Sequence, residues 1–335
     1  MLGRGQLDQF ETEGYLHVPG VLDPAAFSPV HDEYSEMLRE RANAWRRAGR
    51  LSGGEEFSGL GFEEHVLALA DLPGFDRALL PRLDLTLPYR PFSFVREDSE
   101  FHVGSGPLGL LAHPQVLDVV QSLLGPRITA SPNMHCRIKL PVATEAGGIN
   151  SQVSESAFGA TGWHQDALTM MPESDPAPVV TCWIPMGDVS EHDGCLQVVP
   201  GAHRNPLLLP YPLSADTVRR LADAAVPVPA RLGDVVLLHK RIPHASLPND
   251  SDRLRWSFDF RYRPSEAPSD RPWFPSVQVR TGDPSFRPID GTQWRALWHQ
   301  ARTDLSAWTQ PMPGRPEFAM MIAESYARRW GNGAL

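Results

Sequence analysis

The sequence predicts a mainly β fold, an antiparallel sandwich or jelly roll with helices before and after it. Short, partly alternating apolar runs follow one another from Arg127 onward, and turn-forming residues separate them. No helical pattern alternates with these runs, which argues against a parallel α/β sheet. The 33 prolines and 27 glycines are spread along the whole chain, so few windows allow helices longer than about three turns.

Helical patterns precede the strands. The opening LDQFETEGYLHVPGVLD predicts a short helix, a strand at Tyr15–Val18 and a turn into a second helix. Asp23 can cap that helix ahead of Pro24, and a run rich in Glu, Arg, Met, Leu and Ala extends it to about Ala48. A further helix is expected at His113–Leu124, where apolar residues recur on one face and a glycine follows.

The predicted strands then follow as a group, separated by turns such as EHDG, VPGAH and LPNDSD. They are Arg127–Ala130, Asn133–Leu140, Val179–Met186, Cys195–Val199, Asp234–His239 and Leu254–Tyr262. After them, GTQWRALWHQARTDLSAW and EFAMMIAESYARRW return to helical periodicity and are expected to pack outside the barrel. Because no repeat or low-complexity linker interrupts the chain, residues 1–335 are predicted to form one domain, with the jelly-roll core at about 127–263.

The composition argues against several classes of partner. Hydrophobic residues make up 41% and charged residues 21%, which is ordinary for a soluble globular protein. A net charge of −9 without any Lys/Arg-rich run argues against nucleic acid and anionic membrane surfaces. The N-terminal residues lack the apolar core of a signal sequence, and no apolar run reaches about 18 residues, so a cytoplasmic protein is expected. Its three cysteines, Cys136, Cys182 and Cys195, are expected to be reduced.

The stretch TGWHQDALTM places His164 and Asp166 two residues apart. On a strand, both side chains would point to the same face, as two metal ligands would. A solvated loop with a histidine near a carboxylate would give the same triplet. The later stretch GDVVLLHKRIPHASLPNDSDRLRWSFDFRY adds two histidines, His239 and His244, and then an arginine-bearing strand.

Two histidines and one carboxylate on one face of Fe(II) leave three coordination positions free, as in non-haem oxygenases. A planar guanidinium can bind the far carboxylate of 2-oxoglutarate through two hydrogen bonds. Either His239 or His244 could be the third ligand. Periodicity also cannot choose among the arginines, because one strand face would carry Arg253, Arg255, Ser257, Asp259 and Arg261.

The chain resembles the phytanoyl-CoA dioxygenase family of Fe(II)/2-oxoglutarate-dependent oxygenases. The matching stretches are WHQD, CWIPMGDVSEHDGCLQVVPGAHR, GDVVLLHKRIPHASLPNDSDRLR and the opening FETEGYLHVPGVLD. The resemblance covers most of Leu7–Tyr262. It implies a cupin-like double-stranded β-helix, and an enzyme that oxidises a C–H bond of a small organic substrate while releasing succinate and CO2.

The same resemblance implies roles for individual residues. The iron ligands would be His164, Asp166 and His244. The residues expected to contact 2-oxoglutarate are Arg255, Ser246, Ser257, Trp183 and Arg137. Trp183 could equally be a packing residue and Ser257 a small strand residue. The implied cofactors are Fe(II), 2-oxoglutarate as co-substrate and O2. The remaining histidines, expected to be surface or core residues, include His102, His113, His135, His192 and His203.

The substrate and its binding loops are less defined. Related halogenases carry a small apolar residue at the position of Asp166, so the carboxylate favours hydroxylation, desaturation or cyclisation. An amino acid, a natural-product intermediate or an acyl compound is expected as substrate. The loops that would orient it are Phe158–Thr161, Leu168–Pro178 and Asn205–Leu213, and residues that could meet a substrate carboxylate are Tyr89, Arg90 and Arg96. Rival interpretations are a jelly-roll protein without turnover and a cupin-type enzyme that does not use 2-oxoglutarate.

Overall fold

The computed structural model describes residues 1–87, 95–142, 161–209 and 213–308. Its helices surround a pair of sheets and are numbered in chain order. They are α1 (Arg4–Glu13), α2 (Ser28–Arg47), α3 (Phe62–Ala70), α4 (Ser105–Leu111), α5 (Pro114–Leu124), α6 (Ala215–Asp223) and α7 (Gly291–Ser306). No helix in these ranges combines the length and the apolar character needed to cross a bilayer.

The strands form two antiparallel sheets. They are β1 (Tyr15–Val18), β2 (Ile128–Ala130), β3 (His135–Lys139), β4 (Val180–Pro185), β5 (Leu196–Val198), β6 (Val226–Val228), β7 (Val235–His239), β8 (His244–Ser246), β9 (Arg255–Pro264) and β10 (Val277–Arg280). The larger sheet has the order β1-β7-β4-β9-β2-β10, with β3 also paired to β9, and the smaller one has the order β6-β5-β8. This arrangement confirms the prediction of a mainly β, jelly-roll fold with flanking helices.

Strand β9 is buried on both faces, and this explains its sequence RWSFDFRYRP. Its aromatic residues alternate with polar ones, so the two sets point to opposite sides of the sheet. The aromatic face meets the helices: Tyr34 of α2 lies 5.3 Å from Trp256 and 5.6 Å from Phe258 between ring centroids. The hydroxyl of Tyr262 donates to the carbonyl of Leu111 at the end of α4 over 2.8 Å.

The polar face of β9 points between the two sheets. A smaller apolar cluster lies there as well, and its members include Trp183 of β4, Leu196 of β5 and Leu238 of β7. Because this cluster fills only part of the interior, the charged side chains of β9 share the barrel with it. The fold therefore encloses arginines and carboxylates in a largely apolar surrounding.

All seven predicted strands, Tyr15–Val18 included, appear within two residues of their predicted ends, and so does the helix predicted at His113–Leu124. The first C-terminal helical pattern is confirmed as α7, whose Trp298 ring lies 6.3 Å from Phe101 between centroids. The second, EFAMMIAESYARRW, lies outside the described residues. The sequence did not predict α3, α4, α6, β6, β8 or β10. All three cysteines are free and buried.

The stretch TGWHQDALTM, for which the sequence left a strand and a solvated loop open, is not a continuous strand. His164 forms only an isolated antiparallel bridge with His244, and a 3₁₀ turn begins at Asp166 and ends at Thr169. Gln165, between the two, is extended with φ −123° and ψ 133°. Because this one residue is extended, His164 and Asp166 still project to the same side, as they would on a strand.

The contact between β9 and the helices predicts a large stability effect at Phe258, which is fully buried. Phe258→Ala should lower the free energy of unfolding by about 3–5 kcal/mol, because it leaves a cavity between β9 and α2. Denaturant unfolding followed by circular dichroism measures the change. Leu297→Ala on α7, where the side chain is 43% exposed, is the control and should cost below about 1 kcal/mol. Equal losses in the two variants would contradict the described packing.

Candidate metal centre

Three potential metal ligands meet at one end of the barrel. His164 and His244 exchange two backbone hydrogen bonds of 3.0 Å each, which places their rings 4.2 Å apart between centroids. Asp166 follows at the start of the 3₁₀ turn, with its Oδ1 3.9 Å from Nε2 of His164. One ligand atom from each of the three residues lies within 4.8 Å of the others. The bridge between β8 and the HxD segment thus brings together residues that are 80 positions apart.

Backbone carbonyls fix the orientation of both imidazoles. Nδ1 of His164 lies 2.9 Å from the carbonyl of Gly162, and Nδ1 of His244 lies 3.0 Å from the carbonyl of Ile242. A carbonyl can only accept, so each Nδ1 carries the proton and each Nε2 offers its lone pair. Burial, together with the adjacent His244, lowers the pKa of His164 to about 3, which keeps that imidazole neutral and able to bind a metal.

Asp166 is held by two side chains from neighbouring strands. Arg261 of β9 donates to its Oδ1 over 2.6 Å, and Thr181 of β4 donates to its Oδ2 over 2.6 Å. Burial opposes ionisation, but the positive charge of Arg261 outweighs it and lowers the pKa of Asp166 well below its usual range. The carboxylate is therefore ionised and fixed in position before any metal binds.

From the sequence alone, Arg261 was one of the arginines that could bind the co-substrate. The structure instead engages both its terminal nitrogens: Nη2 contacts Asp166 and, over 3.2 Å, Asp259, while Nη1 donates to the carbonyl of Asn133 over 3.0 Å. The positive charge is balanced by the two carboxylates, which raise the pKa of Arg261 against the effect of burial. The feature of the sequence that pointed to Arg261 was its position on the polar face of β9.

These residues fit a divalent iron ion. Two neutral imidazole nitrogens and one carboxylate, all buried or half-buried, form the donor set of a facial triad. Each ligand side chain is oriented by a further hydrogen bond, as is usual around bound metals in proteins. The three residues that the sequence assigned to iron are therefore brought together, with the two ring Nε2 atoms free of protein hydrogen bonds in the described part of the chain.

The residues that the sequence assigned to 2-oxoglutarate lie around the same cavity. Its lining includes both histidines together with Arg137, Trp183, Ser246 and Arg255. Ser257 stands behind Arg255, fully buried, and accepts a hydrogen bond from Nη1 of that arginine over 3.1 Å. Trp183 also belongs to the apolar cluster between the sheets, so it combines packing with a position on the cavity wall.

Arg255 carries a buried donor that suits an anionic ligand. Its Nε has no hydrogen-bond partner among the described residues. Burial first, and then the nearby Arg137, lower the pKa of Arg255 to about 10, so the guanidinium is still protonated at neutral pH. A dicarboxylate can only accept hydrogen bonds, and it would supply both the missing acceptor and the opposite charge.

The alternative residues lie elsewhere. Nδ1 of His239 accepts from the backbone N–H of Arg241 over 3.0 Å, and its ring lies 5.0 Å from that of His203. Arg253 has a 60% exposed side chain and pairs with Asp193 over 2.6 Å. His244 and Arg255 therefore line the cavity, whereas His239 and Arg253 do not. Periodicity in the sequence could not distinguish the members of either pair.

The polar side chains of β3 lie in several environments. Arg137 lines the cavity, whereas Lys139 donates to Oγ of Ser246 over 2.7 Å and to the carbonyl of Gly194 over 3.3 Å. Ser246 also accepts from the backbone N–H of Thr161 over 2.8 Å, so it ties β8 to the segment before His164. His135 is half-buried and bonded to Asp84, a partner that the sequence did not indicate.

The predicted substrate loops are described only in part. Tyr89, Arg90 and most of Phe158–Thr161 lie outside the described residues. Arg96 is exposed and pairs with Asp98. Within Asn205–Leu213, the backbone N–H of Leu208 donates to Oε1 of Gln165 over 2.7 Å. Gln165 lies between the two HxD residues, so this bond joins the loop directly to the candidate ligand segment.

The family model of phytanoyl-CoA dioxygenase (PhyH) matches residues 10–257. The chain belongs to this family. It is 32% identical over 115 residues to phytanoyl-CoA dioxygenase domain-containing protein 1 of Danio rerio, a match covering 31% of this chain and 39% of that protein. The protein of the same name from Mus musculus is 30% identical over 147 residues, covering 39% of this chain and 50% of the relative. The chain thus spans half or less of the length of these relatives.

A solved structure of similar fold is that of ThoJ, described as a non-haem monooxygenase in its apo form. It is 17% identical, with a TM-score of 0.52, and the alignment covers 95% of this PhyH-family chain and 98% of ThoJ. At this identity the likeness shows the fold alone. It confirms the double-stranded β-helix that the resemblance implied.

The contact between Arg261 and Asp166 predicts that a residue outside the ligand set controls metal affinity. Arg261→Met should weaken Fe(II) binding by about 10- to 100-fold, because it leaves the buried carboxylate without its cation and its orienting donor. Anaerobic titration with Fe(II) measures the affinity.

The matched control is Arg263→Met, two residues further along the same face of β9. Arg263 is also buried, but it donates to the backbone carbonyls of Pro264 and Ala267. Its replacement should leave Fe(II) affinity within about threefold. Unchanged affinity in Arg261→Met, or an equal loss in both variants, would contradict the role given to Arg261.

Proposed function

We propose that this PhyH-family protein is a non-haem Fe(II)/2-oxoglutarate-dependent dioxygenase. It oxidises an unactivated C–H bond of a small organic substrate and releases succinate and CO2. The observation that carries the proposal is one cavity in which the free Nε2 atoms of His164 and His244 lie beside the buried, unpartnered Nε of Arg255. A metal site alone would give that arginine no ligand, whereas a chelating dicarboxylate uses both features.

The metal ligands are His164, Asp166 and His244. The carbonyls of Gly162 and Ile242 hold the two ring protons on Nδ1, so Nε2 faces the metal in both cases. Arg261 and Thr181 keep the Asp166 carboxylate ionised and oriented. When bound, Fe(II) supplies the capacity to activate O2 and to oxidise both 2-oxoglutarate and the substrate.

Arg255 binds the distal carboxylate of 2-oxoglutarate, with Ser246 and Ser257 as hydroxyl neighbours. Ser257 accepts from Nη1 and thereby holds one end of the guanidinium in place. Arg137 and Trp183 complete the wall around the co-substrate. Arg255 is 4% exposed, so the ion pair forms away from bulk water, where charge-assisted hydrogen bonds are stronger.

The outcome of the reaction is hydroxylation, or desaturation or cyclisation by the same oxidant. Asp166 is present and fixed by two hydrogen bonds, which leaves no room for halide at its coordination position. The substrate is a small molecule: an amino acid, a natural-product intermediate or an acyl compound. Asn205–Leu209, joined to Gln165 through Leu208, is one wall from which the chain orients it.

The proposal predicts that anaerobic Fe(II) and 2-oxoglutarate together produce a weak visible charge-transfer band from the chelate. In Arg255→Ala the band should require at least about tenfold more 2-oxoglutarate, because the charge-assisted pair is lost. Arg253→Ala is the matched control, since its side chain is 60% exposed and pairs with Asp193. No band in the wild type, or one formed equally well in Arg255→Ala, would exclude a co-substrate role for this arginine and favour a cupin-type enzyme without 2-oxoglutarate.

A second prediction concerns iron retention. His164→Ala should lose bound iron after gel filtration, because two protein ligands cannot hold Fe(II) against dissociation as three do. Iron content per chain is measured by a colorimetric chelator assay. His239→Asn, at the rival position, should keep a full complement, since His239 contacts Arg241 and His203 and not the cavity. A full complement of iron in His164→Ala would remove this residue from the ligand set.

A further inference from the structure

Asp259 places a carboxylate in the wall of the cavity that holds the candidate metal ligands. It lies near the middle of β9, where its register partners are His135 on β3 and Trp183 on β4. The residue is 7% exposed, and it lines the same cavity as His164 and His244. Neither a metal-ligand role nor a co-substrate role has been assigned to it.

The two oxygens of this carboxylate have different surroundings. Oδ2 accepts from Nη2 of Arg261 over 3.2 Å and lies 3.5 Å from Nη2 of Arg137. Oδ1 is buried and accepts no hydrogen bond from any described residue. A buried carboxylate oxygen without a donor is costly, so it indicates a ligand that supplies one.

Several nearby N–H groups donate elsewhere, and the buried Nε atoms of Arg255 and Arg261 have no described acceptor, Oδ1 of Asp259 included. Nδ1 of His135 donates to Oδ2 of Asp84 over 2.8 Å, and Nη1 of Arg255 donates to Ser257. Nη1 of Arg261 donates to the carbonyl of Asn133. Asp259 is thus held in place through Oδ2 while Oδ1 keeps its capacity to accept.

2-Oxoglutarate cannot satisfy this oxygen. Its two carboxylates and its keto group are all acceptors, and its negative charges would be repelled by Asp259. The unpartnered Nε of Arg255 is a donor and suits the co-substrate, whereas the unpartnered Oδ1 of Asp259 is an acceptor and requires a different molecule. The cavity therefore has one position that offers a hydrogen-bond donor and another that offers an acceptor.

We propose that Oδ1 of Asp259 is the polar anchor of the substrate and accepts a hydrogen bond from a hydroxyl or amino group next to the carbon that is oxidised. This inference rests on the proposed function and narrows its substrate class. The substrate carries an O–H or N–H donor close to the reacting C–H bond. A substrate that presents only hydrocarbon at this point would leave the carboxylate oxygen buried and unpaired. A site that contains such an acceptor therefore discriminates strongly against a substrate without a donor.

The test uses three small probes of similar size: n-butanol, n-butylamine and n-butyl methyl ether. Each is titrated anaerobically into the enzyme loaded with Fe(II) and 2-oxoglutarate, and binding is followed by the change in the charge-transfer band and by calorimetry. The alcohol and the amine should bind the wild type at least about tenfold more tightly than the ether, which has no donor. In Asp259→Ala the three should bind within about threefold of one another.

Asp259→Asn separates the two kinds of donor. It keeps an acceptor oxygen but removes the charge, so the advantage of the alcohol should persist while the amine loses most of its own. Asp118→Asn is the control: it removes a carboxylate that is 49% exposed on α5 and pairs with Arg280, and all three affinities should be unchanged.

The possible failures are distinguishable. If the wild type gives no charge-transfer band, the proposed function fails. If the band forms but the ether binds as well as the alcohol and amine, or no probe binds, the Asp259 anchor is overturned while the proposed function stands. A preference for donors that persists in Asp259→Ala also overturns it. Should Asp259→Ala lose iron through its link to Arg261, the comparison of the wild type with Asp259→Asn decides.

Discussion

The buried ion pair between Arg261 and Asp166 is the interaction on which the candidate site depends. Asp166 is 1% and Arg261 2% exposed, and their atoms approach to 2.6 Å. Breaking such a pair by removing one partner costs about 3–5 kcal/mol, because the remaining charge is left in a medium that solvates it poorly. The same arginine contacts Asp259 and the carbonyl of Asn133. One guanidinium therefore joins the HxD segment, β9 and the segment before β3, and it fixes a candidate ligand carboxylate that a 3₁₀ turn alone would hold loosely.

That ion pair can exist because β9 is amphipathic in an unusual sense: one face is aromatic and the other charged, yet both are buried. The aromatic face is stabilised by α2, α3 and α4, and this packing sets the register of the strand. A shift of one residue would exchange the two faces and place Arg255, Asp259 and Arg261 among the rings of Tyr34 and Phe62. Burial of the rings thus determines where the charges lie, and the energy of hydrophobic packing supports the desolvation of the site.

Much of the fold could be predicted from the sequence because its strands alternate and its turns are marked by Gly, Pro, Asn and Asp. The short strands β6 and β8 and the edge strand β10 gave too few residues for a pattern to appear, and α3, α4 and α6 lie in proline-broken or polar stretches. The ligand trio could be proposed from its residue types and its family resemblance. The backbone conformation of TGWHQDALTM could not be predicted, because the bridge of His164 to His244 and the turn at Asp166 depend on tertiary contacts. Partners such as Thr181 for Asp166, or Asp84 for His135, come from strands and loops distant in sequence, where no local pattern links them.

The spacing of side chains along β9 determines how the polar groups of the candidate site are arranged. Successive residues on one face of a strand lie about 6.5–7 Å apart, so Arg255, Asp259 and Arg261 cannot all serve one small ligand. Both terminal nitrogens of Arg261 are hydrogen-bonded within the protein and its Nε lacks a described partner, whereas Arg255 and Asp259, which line the cavity, each present a buried polar atom without one. These two atoms have opposite hydrogen-bonding character, and three residues of β9 lie between Arg255 and Asp259. One strand face would therefore hold the proposed acceptor-only co-substrate at one end and a donor-bearing substrate nearer its middle, with the candidate metal ligands between the sheets beside both. Such an arrangement would keep a dicarboxylate at the Arg255 end of the strand, because Asp259 repels its negative charges.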